Sequence, residues 1–196
     1  GPGADGEAHE EMLASGSDAL IIDLEDFTQA SRREQARSLL PRLLARARAG
    51  GMVSSVRINS LESDGPLDLA AAMSAGAEVI SYPMASSGEQ MHALHAAITH
   101  WESRLDIPVG ATSILPVCET ALGVAEVRAI AAASPRICCA LLGTEDLAAD
   151  LCAERHPDGI ELDYARRRFI LECRAAAIEP IDSPYTYGDV DAAVAE

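Results

Sequence analysis

The chain of 196 residues carries 31 acidic side chains against 15 basic ones, a formal net charge of −16, and is 48% hydrophobic but only 4% aromatic. That length and apolar fraction suffice for one domain, residues 1–196, with an Ala/Leu/Val/Ile core, and the negative field excludes nucleic acid, whose phosphates would be repelled. No apolar run approaches the roughly 20 residues that span a bilayer, and the acidic, polar start differs from a signal peptide, so no membrane partner and a soluble, cytoplasmic location are expected.

In chain order, Gly1–Gly3 read as a turn and Glu7–Ala14 as a short helix closed at Gly16. The first strand is Ala19–Asp23 within ALIIDLED, with Asp23, Glu25 and Asp26 crowding its C-terminal end. Ser31 and Glu34 have capping-box spacing for a helix reaching Arg48, which Gly50-Gly51 ends. Strand Val53–Asn59, VSSVRIN, sets Val56 and Ile58 on one side and Arg57 on the other, next to its end. Leu67–Ser74 reads as a helix, Glu78–Pro83 as a strand and Gly88–Leu105 as a helix. His92 and His95 on that helix have ligand-pair spacing, but the middle of a crossover helix lies away from a catalytic rim, so they are expected on the outer surface. Then come a strand from Ser113 to Glu119, an Ala-rich helix Ala121–Ala133, and a strand from Cys138 leading to Asp146, which opens a short helix. His156–Gly159 makes a turn, Asp163–Ala177 an amphipathic helix, Glu179–Tyr185 the last strand, and Asp189 begins another helix.

Six strands each followed by a helix imply a parallel sheet with helices outside, either doubly wound or a (β/α)₈ barrel. No G-x-G-x-x-G follows any strand, which removes the usual support for a dinucleotide fold, and polar residues end most strands as in barrel enzymes. An orphan leading helix and a terminal helix cut short would follow if a first and an eighth strand were missing.

Every basic residue is arginine, which excludes a lysine Schiff base and the Gly-Lys-Ser/Thr phosphate loop. Carbonyl chemistry here must therefore use a metal or fixed hydrogen-bond donors. Glu119 and Asp146 close successive parallel strands, which lie about 5 Å apart, so both carboxylates can share one Mg²⁺ while substrate and water fill its other positions. Taken singly, each reads as a solvated rim residue or a helix cap; their repetition on one rim points to the ion. Five cysteines, an odd number without C-x-x-C spacing, read as reduced core residues.

The chain resembles the citrate lyase β-subunit-like family of the HpcH/HpaI aldolase superfamily. The blocks that carry the resemblance, in the family's order, are Pro2-Gly3, SGSDALIIDLED, VRIN, AGAEVISYP, CETALGV, GTEDLAADL, PDGIELDYARRR and IDSPYT. The resemblance implies a (β/α)₈ TIM barrel of the phosphoenolpyruvate/pyruvate-domain type, here lacking its first and eighth strands. It implies Mg²⁺-dependent cleavage or formation of C–C bonds in a 2-oxo acid such as oxaloacetate, pyruvate or glyoxylate, or in a citramalyl-, malyl- or citryl-thioester; Mn²⁺ is an alternative ion. Carried over, the metal ligands fall on Glu119 and Asp146, the substrate-binding arginine on Arg57, and the acidic pair beside the metal on Glu25 and Asp26. Three departures stand out. Met84 replaces the lysine common after the strand-ending proline, Ala4-Asp5-Gly6-Glu7 replaces the basic residues that help bind coenzyme A, and the family's first and eighth strands have no counterpart. The other readings are thioester hydrolysis on the same metal site and a non-catalytic binding module. Two uncovered sheet edges lead to an expectation of homo-oligomers.

Overall fold

Strands β1 (Ala19–Asp23), β2 (Val53–Arg57), β3 (Val79–Tyr82), β4 (Ser113–Cys118), β5 (Cys139–Leu142) and β6 (Glu179–Ile181) pair in that order, every neighbour parallel. They are seen in a computed structural model that describes residues 1–156 and 158–183. A doubly wound sheet reverses its strand order at a switch point. This sheet never reverses, so it is singly wound, and the described strands form an open parallel arc. No β1–β6 pairing closes that arc among the described residues. Gly1–Gly3 do not form a simple turn. Pro2 bridges to Asp23 in parallel, the Gly1 carbonyl accepts from Asp23 N–H at 2.9 Å, and the turn falls at Gly3-Ala4.

The helices are α1 (Gly6–Ala14), α2 (Arg33–Ala49), α3 (Gly65–Ser74), α4 (Gly88–Arg104), α5 (Ala121–Ala125), α6 (Val127–Ala132), α7 (Thr144–Asp150) and α8 (Asp163–Ala175). The Ser31/Glu34 capping box does not form. A 3₁₀ turn, Ala30–Arg32, runs straight into α2, so the residue before the helix already has helical backbone and no side chain caps it. A capping box is found instead on α4, between Ser87 and Gln90. The expected helix 121–133 is divided at Glu126, whose backbone (φ −101°, ψ 11°) ends α5 and begins α6. The end of the last strand, from residue 184, the helix from Asp189, and Pro157 lie outside the described residues.

Alternation along the strands sorts the side chains onto two faces. Ile22, Val56, Ile58, Ile80, Cys118 and Leu142 point outward and are all but fully buried under Leu40 and Leu44 of α2, Met73 of α3, Met91 and Leu94 of α4 and Phe169 of α8. The concave face carries smaller or polar groups, Ser55, Ser81, Leu115 and Val117. The cysteines are free; Cys118 and Cys173 are buried and Cys139 half-buried, but Cys138 and Cys152 are exposed, against the expectation of core positions. Cys138 precedes β5, and Cys152 follows α7 in left-handed backbone (φ 52°), so neither sits on a packed face. His92 is exposed on α4, and His95 is spent on Ser134 at 2.8 Å, so the two are not a ligand pair.

Near the N-terminal end of β4, Arg136 and Glu102 form a buried ion pair at 2.5 Å, and Glu102 also accepts the N–H groups of Gly110 and Thr112. Burial pushes the Glu102 carboxyl up, but the Arg136 guanidinium and the two N–H groups outweigh it and hold the group at about 2, below its ordinary 4.5. A depressed carboxyl stabilises the fold above the unfolded pKa and loses that contribution as pH falls from 4.5 toward 2. Glu102→Ala, which strands Arg136, is expected to cost about 3–5 kcal/mol in urea denaturation at neutral pH.

Candidate active site

A cavity of about 590 Å³ opens at the C-terminal ends of the strands. Its floor and walls are partly apolar, from Ile21, Val117 and Leu141, with Phe27 at the edge. Its charged lining is one-sided: Asp23, Asp26, Glu119, Glu145, Asp146 and Asp182 supply six carboxylates, against the single side-chain cation Arg57.

Register brings Asp23, Arg57 and Ser81 into one row across β1, β2 and β3. Asp23 shares the inward parity of Ile21 and is only 2% exposed. Its carboxylate receives Arg57 Nε at 2.8 Å and Nη2 at 2.6 Å, and it also accepts the backbone N–H groups of Glu25 and Phe27, each at 2.9 Å. Asp23 thus fixes both the arginine and the loop that follows β1. Glu25 lies 3.1 Å from Arg57 Nη1, and Asp26, more exposed, lies at 4.0 Å. The Phe27 ring covers one guanidinium face at 5.5 Å. Asp23 takes the Nε and Nη2 side and Glu25 stands 3.1 Å from Nη1, so a ligand carboxylate would meet the guanidinium at Nη1 by sharing or displacing Glu25.

Glu119 follows β4 directly, is 3% exposed, and accepts Met84 N–H at 2.7 Å through Oε1. Asp146 is not at a strand end as the sequence suggested. β5 stops at Leu142, and Asp146 occupies the first turn of α7, where an acidic side chain also suits the helix dipole. Its carboxylate has no hydrogen bond or ion pair with a described residue, and it faces the same cavity as Glu119. Asp150, at the end of α7, accepts Ala121 N–H at 2.7 Å, which ties the helix carrying Asp146 to the loop leaving Glu119.

Burial pushes the Glu119 carboxyl up; Met84 N–H opposes this, Asp146 adds to it, Arg57 opposes it and Glu25 adds to it, with the outcome at about 7. Glu25 is likewise pushed up by burial, opposed by Arg57 and aided by Asp26, to about 7. Four of the five residues singled out from sequence therefore act on Glu119 or are Glu119 itself, and Asp26 acts on both Glu25 and Arg57.

Crowded carboxylates that resist ionising together are matched to a divalent cation. No three His, Cys, Asp or Glu side chains form a ready cage among the described residues. Two carboxylates, completed by ligand and water, suit Mg²⁺, which keeps several waters and rarely takes an all-protein cage. The donor set is compatible with the ion, and Glu119 and Asp146 are the residues that could hold it. Sequence reasoning noted Asp23 at the crowded strand end and Met84 as the lysine's replacement without giving either a role, and it passed over Gly143 and Asp150. Asp23 was findable from its parity with Ile21, whereas the contacts of Met84, Gly143 and Asp150 depend on turn geometry.

The HpcH/HpaI aldolase/citrate lyase family model matches residues 1–194. Citrate lyase subunit beta of Leuconostoc mesenteroides subsp. cremoris is 37% identical over 174 residues, 87% of this chain and 57% of that protein. A (3S)-malyl-CoA thioesterase of Cereibacter sphaeroides is 32% identical over 197 residues, 100% of this chain and 65% of that protein. The chain thus spans about three fifths of the length of the curated relatives it matches. Among solved structures, the citrate lyase beta subunit from M. tuberculosis complexed with oxaloacetate and magnesium superposes with a TM-score of 0.73 at 24% identity, covering 95% of this chain and 77% of that one. A citrate lyase from Burkholderia xenovorans LB400 superposes with a TM-score of 0.82 at 19% identity, covering 97% and 65%. At those identities the likeness speaks to the fold alone. Matched along nearly its whole length, the chain belongs to the HpcH/HpaI aldolase/citrate lyase family.

Proposed function

We propose that this chain forms the site of a Mg²⁺-dependent carbon–carbon lyase acting on a 2-oxo acid or a hydroxyacyl thioester, within a (β/α)₈ barrel. The carrying observation is the cavity lining, in which Asp23, Glu145 and Asp182 pair with Arg57, Arg155 and Arg166 whereas Glu119 and Asp146 have no ion pair with a described residue, which suits them to a divalent cation. Glu119 and Asp146 would hold the ion, which would supply Lewis-acid stabilisation to the oxygen that gains charge in C–C cleavage. Arg57, steadied by Asp23, would take the substrate carboxylate at Nη1 in place of Glu25 and add fixed positive charge near the developing enolate. Asp26 faces the cavity and Glu25 backs Arg57, and both would act on the bound ion through its waters. Ile21, Val117 and Leu141 keep part of the cavity dry, which strengthens these interactions.

A shift in melting temperature with Mg²⁺ and oxaloacetate together, larger than with either alone, tests the reading, because a ligand of the native state raises stability. No shift at millimolar concentrations would favour the binding-module reading. Thioester hydrolysis is the second reading, supported by the 32% identity to a (3S)-malyl-CoA thioesterase along this chain and 65% of that protein. Isotope-labelled product analysis separates them, since only hydrolysis leaves the carbon skeleton intact.

Proton linkage gives a further expected result. With its folded pKa at about 7 against an ordinary 4.5, Glu119 binds protons more readily in the folded state. Its charge therefore erodes stability as pH rises from 4.5 to 7 in the presence of EDTA. Mg²⁺ competes with that proton, so its affinity should climb through the same range and level off above about 7. Calorimetry across pH checks the sign.

A further inference from the structure

We propose that Met84 and Gly143 hold Glu119 in a slot that offers one carboxylate oxygen to the ion, so that the site selects Mg²⁺ or Mn²⁺ over Ca²⁺. The inference rests on Glu119 and Asp146 being the ion's ligands. Met84 has left-handed backbone (φ 49°), which a side chain other than glycine rarely adopts, and its own side chain is half-exposed, so packing of the methionine does not explain the conformation. What the conformation achieves is aim: Met84 N–H points at Glu119 Oε1 from 2.7 Å. The turn cannot relax. Ala85 N–H is bound to the Val117 carbonyl at 3.0 Å, and the Ala85 carbonyl lies so close to Gly123 that a Cβ there would sit 2.4 Å from it.

On the opposite side, Gly143 N–H is bound to the Cys118 carbonyl at 3.1 Å, and a Cβ on Gly143 would stand 2.6 Å from Glu119 Oε2 and 2.7 Å from Glu119 Cβ. Gly143 has ordinary backbone (φ −95°, ψ 100°), so glycine is required for space and not for its conformational freedom. Oε1 is thus engaged by a backbone dipole whose positive end would face any ion placed between the two oxygens. Oε2 lies over Gly143, the residue that leads into α7 and Asp146. Ca²⁺ favours bidentate carboxylates and six to eight oxygens, whereas Mg²⁺ accepts single oxygens in an octahedron completed by water.

Calorimetric titration of the full chain with MgCl₂, MnCl₂ and CaCl₂, above the Glu119 titration range, tests this. Mg²⁺ and Mn²⁺ are expected to bind about tenfold or more tighter than Ca²⁺. Gly143→Ala should displace Oε2, weaken Mg²⁺ by about tenfold or more, and move the Mg²⁺/Ca²⁺ ratio toward one. A purely structural glycine would change the melting temperature in EDTA without moving that ratio. Ca²⁺ binding to the wild-type chain as tightly as Mg²⁺ overturns the slot alone, a result that needs no variant. An unchanged ratio in folded Gly143→Ala also overturns it. Failure of every ion to bind removes the ion site and the slot together.

Discussion

Glutamine in place of Glu119 should lower Mg²⁺ affinity by on the order of 10²-fold or more and remove turnover, while the fold survives. The amide oxygen can still accept Met84 N–H, so the slot stays filled. What disappears is a charge that the folded chain resists carrying, because burial and then Asp146 act against it. In EDTA above pH 7 the variant should therefore melt no lower than the wild type, and loss of the ion without loss of stability separates a ligand from a packing residue. Asp146→Asn should lose the ion similarly, with less effect on the melting temperature because that side chain is exposed. Calorimetry with MgCl₂ decides, and a variant that binds as tightly as wild type would remove Glu119 or Asp146 from the site.

Arg57→Lys is the second large effect. An ammonium retains the charge but cannot hold Asp23 through two parallel N–H groups and still reach Glu25 or a ligand that replaces it. Turnover should fall by on the order of 10²-fold, comparable to removing one oxyanion donor. Mg²⁺ affinity should be largely retained, since no contact joins Arg57 to Glu119 or Asp146 among those described. Asp23, 2% exposed, would keep the Glu25 and Phe27 N–H groups but lose the bidentate guanidinium, which should also cost the fold about 1–3 kcal/mol. Steady-state kinetics beside urea denaturation distinguishes the two consequences. If stability drops while turnover holds, Arg57 is an ion-pair partner of Asp23 and nothing more.

The order of the elements was legible because alternation and turn residues mark strands and helices locally. The choice between a doubly wound sheet and a barrel rested on indirect signs, the missing G-x-G-x-x-G and the polar strand ends, since it depends on which strands become neighbours. Glu119 was legible because it directly follows an apolar run, and Arg57 because its parity sets it inward. Asp146 was found for an imperfect reason: the residue faces the cavity, but from a helix turn that begins two residues after β5 ends. Alternation alone does not name the partner of Arg57. The structure gives its strongest contacts to Asp23, since Asp23 and Arg57 are register partners across β1 and β2. Ser31 illustrates the limit of motif reading, since its capping-box spacing is real but the chain enters α2 already coiled.

Unreversed strand order also divides the site by segment. The arginine half lies within residues 19–57, and the carboxylate half within residues 113–150, with β3 between them. Each half is a contiguous piece of chain, so each can open and close as its own cooperative unit. Mg²⁺ alone should then slow amide hydrogen exchange along β4, β5 and α7 and leave β1 and β2 near their free rates. An acid that also engages Arg57 would join the two pieces and spread the protection across the sheet, so exchange patterns would show which ligands bridge the cavity and which occupy only one side.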